Sequence, residues 1–190
     1  MKKYKLRTFN GRKDMDSKKR FADALEQLLC KKALDEIAVS EIVTLTDLSR
    51  RTFYRHFTDK YDLVSWYFEQ FYKATFGLII EGATWEEALI KYLTIYEEKK
   101  MVLLHAYESH DINGLRNYDI TLTVKTYEKY LEKKGVDIQA EHIRFAIDIA
   151  SRGGTDMIIE WLKGGMKMDK KKLVELLKRT LPNDILCMVE

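Results

Sequence analysis

Apolar residues recur along this chain mainly at the three- and four-residue spacings of amphipathic α-helices. In the first such run, over about residues 16–31, the apolar face comprises Phe21, Leu25, Leu28 and Leu29. A later run, from Leu63 to Phe71, is apolar or aromatic on nearly every side. Such a helix must be buried on more than one side. This run therefore predicts a helix that links two parts of the protein.

About five more amphipathic runs lie between residues 83 and 181. The longest extends over about residues 140–163 and carries Gly153 and Gly154 inside its apolar stripe. Each glycine costs a helix roughly 1 kcal/mol relative to alanine, so the sequence implies either a kink or the close approach of another helix. With one proline and nine glycines in 190 residues, these runs predict an all-α protein with a C-terminal helical bundle.

The stretch from Thr46 to Phe57 reads T-D-L-S-R-R-T-F-Y-R-H-F and is typical of the turn and second helix of a helix-turn-helix. Ser49 is a suitable N-cap, so the helix is expected to begin at Arg50. Phe53 then faces inward, while the arginines and Tyr54 face outward or flank that side. From this helix alone, an ordinary amphipathic surface helix remains the alternative.

The order of elements around this stretch is more specific. The run from Phe21 to Phe71 resembles the TetR (AcrR-type) family of transcriptional regulators. The matching positions are Ile37, Val39, Ile42, Ser49, Thr52, Phe53, Tyr54, His56, Phe57, Lys60 and Leu63. Ser40 and Thr58 are expected to cap the helices on either side. Asp47 stands where the family usually has a turn glycine, and it is expected to tolerate a left-handed conformation there.

The resemblance implies double-stranded DNA with a palindromic operator as partner, and it assigns roles to the matching positions. Arg50, Arg51 and Tyr54 are the candidates for base edges, since guanidinium groups can fork onto guanine. The candidates for phosphate contacts are Thr52, His56 and Lys60, and Ser49 both caps the helix and presents amides to phosphate. It also implies a homodimer formed through about residues 140–163 and 169–181.

Charge and composition support the division that this resemblance suggests. Residues 1–60 hold 15 lysines and arginines against nine acidic residues, although the net charge of the whole chain is only +3. We expect a flexible basic arm over residues 1–15, a DNA-binding domain with linking helix over 16–76, and a ligand-binding and dimerisation domain over 77–190. Two unpaired cysteines, with neither signal peptide nor membrane span, indicate a cytoplasmic protein without a membrane partner.

Regulators of this type usually bind a small molecule in the C-terminal domain. The candidate pocket residues are aromatic and suit a small apolar or aromatic ligand: Tyr92, Tyr96, Tyr107, Tyr127 and Trp161. Ordinary core packing is the alternative for each of them. The main hypothesis is a repressor released by its ligand. The C-terminal part also resembles, more loosely, regulators related to dihydroxyacetone kinase activators, so an activator or a partner-protein-binding module is the alternative.

Motifs of other function classes are missing from the sequence. His105 and His110 are five residues apart, whereas two ligands on one helix need a spacing of three or four, so no metal site is expected. No nucleophile motif, paired catalytic carboxylates or phosphate-binding loop occurs. The sequence thus predicts a protein that is not an enzyme and carries no cofactor.

Overall fold

The computed structural model describes residues 11–189, and within that range all regular structure is helical. The first four helices, here called the head, are α1 (Gly11–Leu29), α2 (Val39–Thr44), α3 (Arg50–His56) and α4 (Lys60–Thr75). The remaining six, called the body, are α5 (Trp85–Glu98), α6 (Lys100–Tyr107), α7 (Leu115–Lys133), α8 (Glu141–Lys163), α9 (Lys170–Arg179) and α10 (Asn183–Val189). Short 3₁₀ helices occupy Leu34–Glu36 and Phe76–Glu81. The all-α prediction is confirmed.

Both ends of the described chain differ from the predicted element bounds. Helix α1 begins at Gly11 rather than near Asp16, so residues 11–15 of the predicted flexible arm are helical. Residues 1–10 of that arm lie outside the described residues. At the other end, the predicted amphipathic runs stop at residue 181, but α10 follows Pro182 and buries Ile185. Proline suits the start of a helix because the first amides have no intrahelical acceptor.

The core of the head is aromatic. Phe21 of α1 meets Phe53 of α3 edge to face at 5.2 Å between ring centroids, and Phe57 at 6.5 Å. All three side chains are at most 2% exposed. Because Phe53 and Phe57 fix the inward side of this segment, Tyr54 and Arg55 between them face solvent.

The turn between α2 and α3 forms without the left-handed residue expected at Asp47. Met166 is the one non-glycine residue with positive φ in the described range. Instead, the Asp47 carboxylate pairs with Arg20 of α1 at 2.9 Å, and the Thr46 hydroxyl donates to the carbonyl of Val43 at 2.9 Å. The predicted conformation of Asp47 was wrong, because side-chain bonds hold the turn in ordinary backbone geometry.

One of the three predicted helix caps in the head is confirmed. Ser49 caps α3, and its hydroxyl accepts the Thr52 amide at 3.1 Å. Helix α4 is capped by Asp59 rather than Thr58, since the Asp59 carboxylate accepts two amides of the first turn. Ser40 lies within α2, whose N-cap is Ala38. Where neighbouring residues can each cap a helix, the sequence alone does not show which of them does so.

Helix α4 joins head to body, as its aromatic pattern predicted. Phe68 is fully buried and its ring lies about 6 Å from those of Tyr92, Tyr96 and Tyr107. Polar contacts reinforce the junction. Glu26 of α1 accepts hydrogen bonds from Tyr67 of α4 and from Lys99 of the body.

Helix α8 is helical throughout, including Gly153 and Gly154. A Cβ atom added at either glycine would meet no atom within 4 Å. Close packing inside the protomer therefore does not require these two glycines. Within residues 11–189, no helix is both long and apolar enough to cross a membrane.

Candidate DNA-contacting surface and body cavity

The exposed side chains at the start of α3 form one surface, here called the α3 surface, which consists of Arg50, Arg51 and Tyr54. Arg50 and Arg51 are exposed, and Tyr54 is 52% exposed. The Tyr54 ring packs against Phe53 at 5.3 Å, which restricts its orientation. Thr52 is half-buried at the edge of the surface, and its hydroxyl lies 3.0 Å from that of Ser49. These predicted site residues are brought together.

His56 lies apart from the α3 surface. Its side chain is only 6% exposed, with Arg55 Nη2 at 3.2 Å and the Asp14 carboxylate at 3.7 Å from its Nε2 atom. Burial, and then the nearby charge of Arg55, lower the pKa of His56 below its ordinary value. A covered imidazole that resists protonation is poorly suited to the predicted phosphate contact.

Lys60 makes contacts within the protein that the sequence did not predict. Its ammonium group donates hydrogen bonds to the carbonyl oxygens of Leu34, Asp35 and Ile37, at 2.8, 2.9 and 2.9 Å. An ammonium has three N–H donors, and these three bonds use all of them. Through these bonds Lys60 ties the start of α4 to the segment before α2, and its phosphate contact stays a prediction.

The body contains a cavity of about 280 Å³ bounded mainly by α4, α5, α7, α8 and α9. Its aromatic wall consists chiefly of Tyr72, Phe76, Trp85, Tyr92 and Tyr127. Ile149 and Met157 of α8 also border it, although both are more than half exposed. Of the five predicted pocket residues, Tyr92 and Tyr127 line the cavity.

The other three predicted residues do not line it. The indole N–H of Trp161 donates to the carbonyl of Met168 at 2.7 Å and so closes the turn after α8. Tyr96 and Tyr107 lie deeper, with hydroxyl oxygens 2.5 Å apart. Trp161, Tyr96 and Tyr107 thus lie outside the cavity lining, because the sequence pattern shows only that a residue faces inward.

Asp119 is the polar centre of this region, and sequence reasoning missed it. Its carboxylate lines the cavity, is 3% exposed, and accepts the Tyr107 hydroxyl at 2.8 Å and the Tyr92 hydroxyl, more weakly, at 3.5 Å. The available signal was its helical spacing with Thr123 and Tyr127, which puts a carboxylate on an inward helical face. Buried carboxylates are rare unless they are paired.

Burial raises the pKa of Asp119 to about 7, although surrounding hydroxyl donors act in the opposite direction. In the unfolded chain the pKa of Asp119 has its ordinary value of 3.8, so between about pH 4 and pH 7 the folded state binds more protons than the unfolded state. The raised pKa of Asp119 thus contributes stability that is fully present below about pH 4. This contribution is lost as the pH rises from about 4 through about 7.

Replacing Asp119 by asparagine is expected to stabilise the protein, and more so at high pH. At 1.36 kcal/mol per pKa unit, the gain in unfolding free energy relative to wild type should grow by about 2–3 kcal/mol between pH 5 and pH 8. Urea denaturation of both proteins at the two pH values measures this. A pH-independent difference would contradict a raised pKa for Asp119.

No cluster of three or more histidine, cysteine, aspartate or glutamate side chains in the described range could hold a metal ion. The His105 ring instead donates from Nδ1 to the carbonyl of Leu29 at 2.6 Å, which adds another contact between body and head.

The sequence and the fold of this chain are similar to those of known proteins. A TetR-type family model, described as the transcriptional regulator C-terminal region, matches residues 83–183, more than half of the chain. This chain belongs to that family of transcriptional regulators. As a member of this regulator family, it is not an enzyme.

Individual relatives agree with the assignment. The chain is 27% identical over 92 residues to the HTH-type dhaKLM operon transcriptional activator DhaS of Lactococcus lactis, a match over 48% of this chain and 49% of that protein. The alignment thus spans about half the length of this curated relative. A solved dihydroxyacetone kinase operon activator DhaS shares the fold, with a TM-score of 0.61, 20% identity and coverage of 89% and 96% of the two chains.

A second solved structure, the fatty acid degradation regulator FadR from Bacillus halodurans, has a TM-score of 0.53 and 18% identity. The match covers 94% of this chain and 96% of that one. Both structural matches extend over head and body together. The all-α regulator fold, with an N-terminal helix-turn-helix and a C-terminal helical domain, is therefore shared along almost the full length.

Proposed function

We propose that this regulator binds DNA in a sequence-specific manner as a homodimer. The observation that carries the proposal is the α3 surface: two exposed arginines and an exposed tyrosine on a helix whose opposite face is locked by Phe53 and Phe57. A rigid helix with this surface can enter the major groove and present its first turns to base edges.

Within this proposal, Arg50, Arg51 and Tyr54 contact base edges, and Thr52 and the amides that follow Ser49 contact phosphate. Arg55 is also exposed but lies 3.7 Å from Asp14, so part of its charge is compensated. Lys60 and His56 have structural roles in the helix-turn-helix, through the contacts described above.

The dimer is proposed to form through α8. Phe145, Ile149 and Met157, at four-residue or eight-residue intervals on this helix, are 69%, 52% and 54% exposed. Exposed apolar residues on one helical face are typical of an interface, and a two-fold dimer would match a palindromic operator. The apolar stripe of α9, in contrast, is buried within the protomer at Leu173 and Leu177. Helix α9 is therefore proposed to contribute its charged outer side to the dimer interface.

We further propose that a small ligand in the body cavity regulates DNA binding. Ile149 and Met157 belong both to the cavity wall and to the proposed dimer face. A ligand that displaces them changes how the protomers meet, and so the spacing of the two α3 helices. Repression released by the ligand is the first candidate. Activation is the second, because the two DhaS relatives are named as activators.

The test of DNA binding is selection of genomic fragments with purified protein, followed by fluorescence anisotropy on the enriched site and on scrambled DNA at two salt concentrations. An enriched palindrome with a clear affinity ratio is expected. Salt-sensitive binding without sequence preference would refute the proposal. A reporter gene behind the enriched site, with and without the regulator, separates repression from activation.

Replacing Arg51 by alanine is expected to cost about 1–3 kcal/mol of binding free energy on the selected operator and much less on scrambled DNA. The reason is that a base contact discriminates sequences, whereas a phosphate contact does not. The matched control is Lys125→Ala, which removes one positive charge from an exposed position of α7, outside α3 and the proposed dimer interface. Equal losses on both DNAs would show that Arg51 does not read a base.

A further inference from the structure

The body cavity combines an apolar aromatic wall with a single buried acid. Among the residues that line it in the described part of the chain there is no lysine, arginine or histidine. Asp119 also takes part in none of the ion pairs found between residues 14 and 179. When Asp119 is ionised, its charge is therefore uncompensated by a cation.

The groups around Asp119 are neutral hydrogen-bond donors. They come from three other helices: Tyr72 from α4, Tyr92 and Tyr96 from α5, and Tyr107 from α6. Burial raises the pKa of each of these tyrosines well above its ordinary value, so they stay protonated. The hydroxyl donors orient the carboxylate, but they do not neutralise it. A buried ion without an oppositely charged partner still carries a large desolvation free energy.

We propose that the cavity binds a small aromatic or apolar amine whose positive charge pairs with Asp119. This inference rests on the proposed ligand-regulated function and names the ligand class. A cation close to the faces of Tyr72, Tyr92 and Trp85 is also attracted by their ring quadrupoles. The apolar remainder of the ligand packs against Leu89 and Ile158, which line the same cavity.

The cavity volume sets the size of the ligand. At about 280 Å³ it lies just below the range of roughly 300–1,000 Å³ typical of pockets for small molecules. A ligand with one ring and a short aminoalkyl chain matches this volume. A long fatty acyl chain would place apolar carbon, and a carboxylate of the wrong sign, beside Asp119.

Isothermal titration calorimetry with three probes of similar size tests the charge requirement: 3-phenylpropylamine, 3-phenylpropanol and 3-phenylpropanoate. The amine is expected to bind at least about tenfold more tightly than the alcohol, and the carboxylate more weakly than both. Equal affinities of the amine and the alcohol would overturn the proposal. So would a failure of the amine to bind at millimolar concentration.

The variant Asp119→Asn keeps the size and hydrogen-bonding capacity of the side chain but removes its charge. It should lower amine affinity by roughly 30-fold and leave the alcohol nearly unaffected. The matched control is Asp156→Asn, because Asp156 pairs with Arg116 at 2.7 Å on the protein surface and does not line the cavity. Unchanged amine affinity in Asp119→Asn would also overturn the proposal.

Benzyltrimethylammonium, whose charge does not titrate, gives a readout that needs no variant. This cation binds the ionised form of Asp119, whose pKa is about 7. The affinity of the protein for benzyltrimethylammonium should therefore rise by about tenfold between pH 6 and pH 8. A pH-independent affinity would contradict recognition by Asp119.

These titrations use the full chain without DNA, so they separate the two proposals. If the selected operator binds but neither cationic probe does, the ligand class is wrong and the DNA-binding function stands. If the amine binds through Asp119 but no operator is selected, the ligand site stands and the DNA-binding function is wrong.

Discussion

Replacing Lys60 by methionine is expected to lower the free energy of unfolding by about 3–4 kcal/mol, a large loss against the roughly 5–15 kcal/mol that stabilises an ordinary protein. The substitution keeps most of the aliphatic chain but removes an ammonium group that donates to the carbonyls of Leu34, Asp35 and Ile37. Hydrogen bonds to a charged group contribute about 1.5–3 kcal/mol each, and the three carbonyls lose a common donor. Urea denaturation followed by far-UV circular dichroism, at one fixed protein concentration, measures the effect.

The matched control is Lys73→Met on the same helix. The Lys73 side chain is 61% exposed and pairs with Glu69, one turn away. Such surface pairs contribute about 0–1 kcal/mol. If Lys60 bound phosphate instead, Lys60→Met would leave the urea midpoint near that of the control and would reduce the salt dependence of DNA binding by about one unit of slope.

Replacing Phe145 by aspartate is expected to convert the proposed dimer to a monomer and to weaken operator binding by about 1,000-fold. The two-fold axis places the new charge in the interface twice, and two unpaired buried charges at about 2 kcal/mol each give roughly this factor. Phe145 is 69% exposed in the protomer, so the fold of the isolated chain should tolerate the change. Sedimentation velocity gives the oligomeric state, and fluorescence anisotropy gives the operator affinity.

Ile112→Asp is the control for this experiment. Ile112 is 79% exposed in the loop before α7 and lies near the start of α4, so the same charge replaces an apolar side chain that is at least as exposed as Phe145. This variant should remain a dimer. If Phe145→Asp also sediments as a dimer and binds the operator normally, the interface lies elsewhere on the chain.

The sequence by itself determined most of the helical segments, with the exceptions of residues 11–15 and α10, and which face of α3 is buried. Helical periodicity and capping are local, since residues three or four apart meet on one face whatever the rest of the chain does. Ser49 was therefore predicted correctly as the cap of α3. The reciprocal capping pair of Thr84 and Glu87 at the start of α5 is a local contact of the same kind.

Only the tertiary structure decided what the polar side chains contact. Lys60 meets carbonyls 23 to 26 residues away, and Asp119 lies beside tyrosines from three other helices. Periodicity says that a residue faces inward, but not whether it meets a core, a cavity or a turn. That is why Tyr92 and Trp161 share one predicted role although only Tyr92 lines the cavity. The partner of an inward side chain depends on how distant helices pack, and packing is not encoded within one helix.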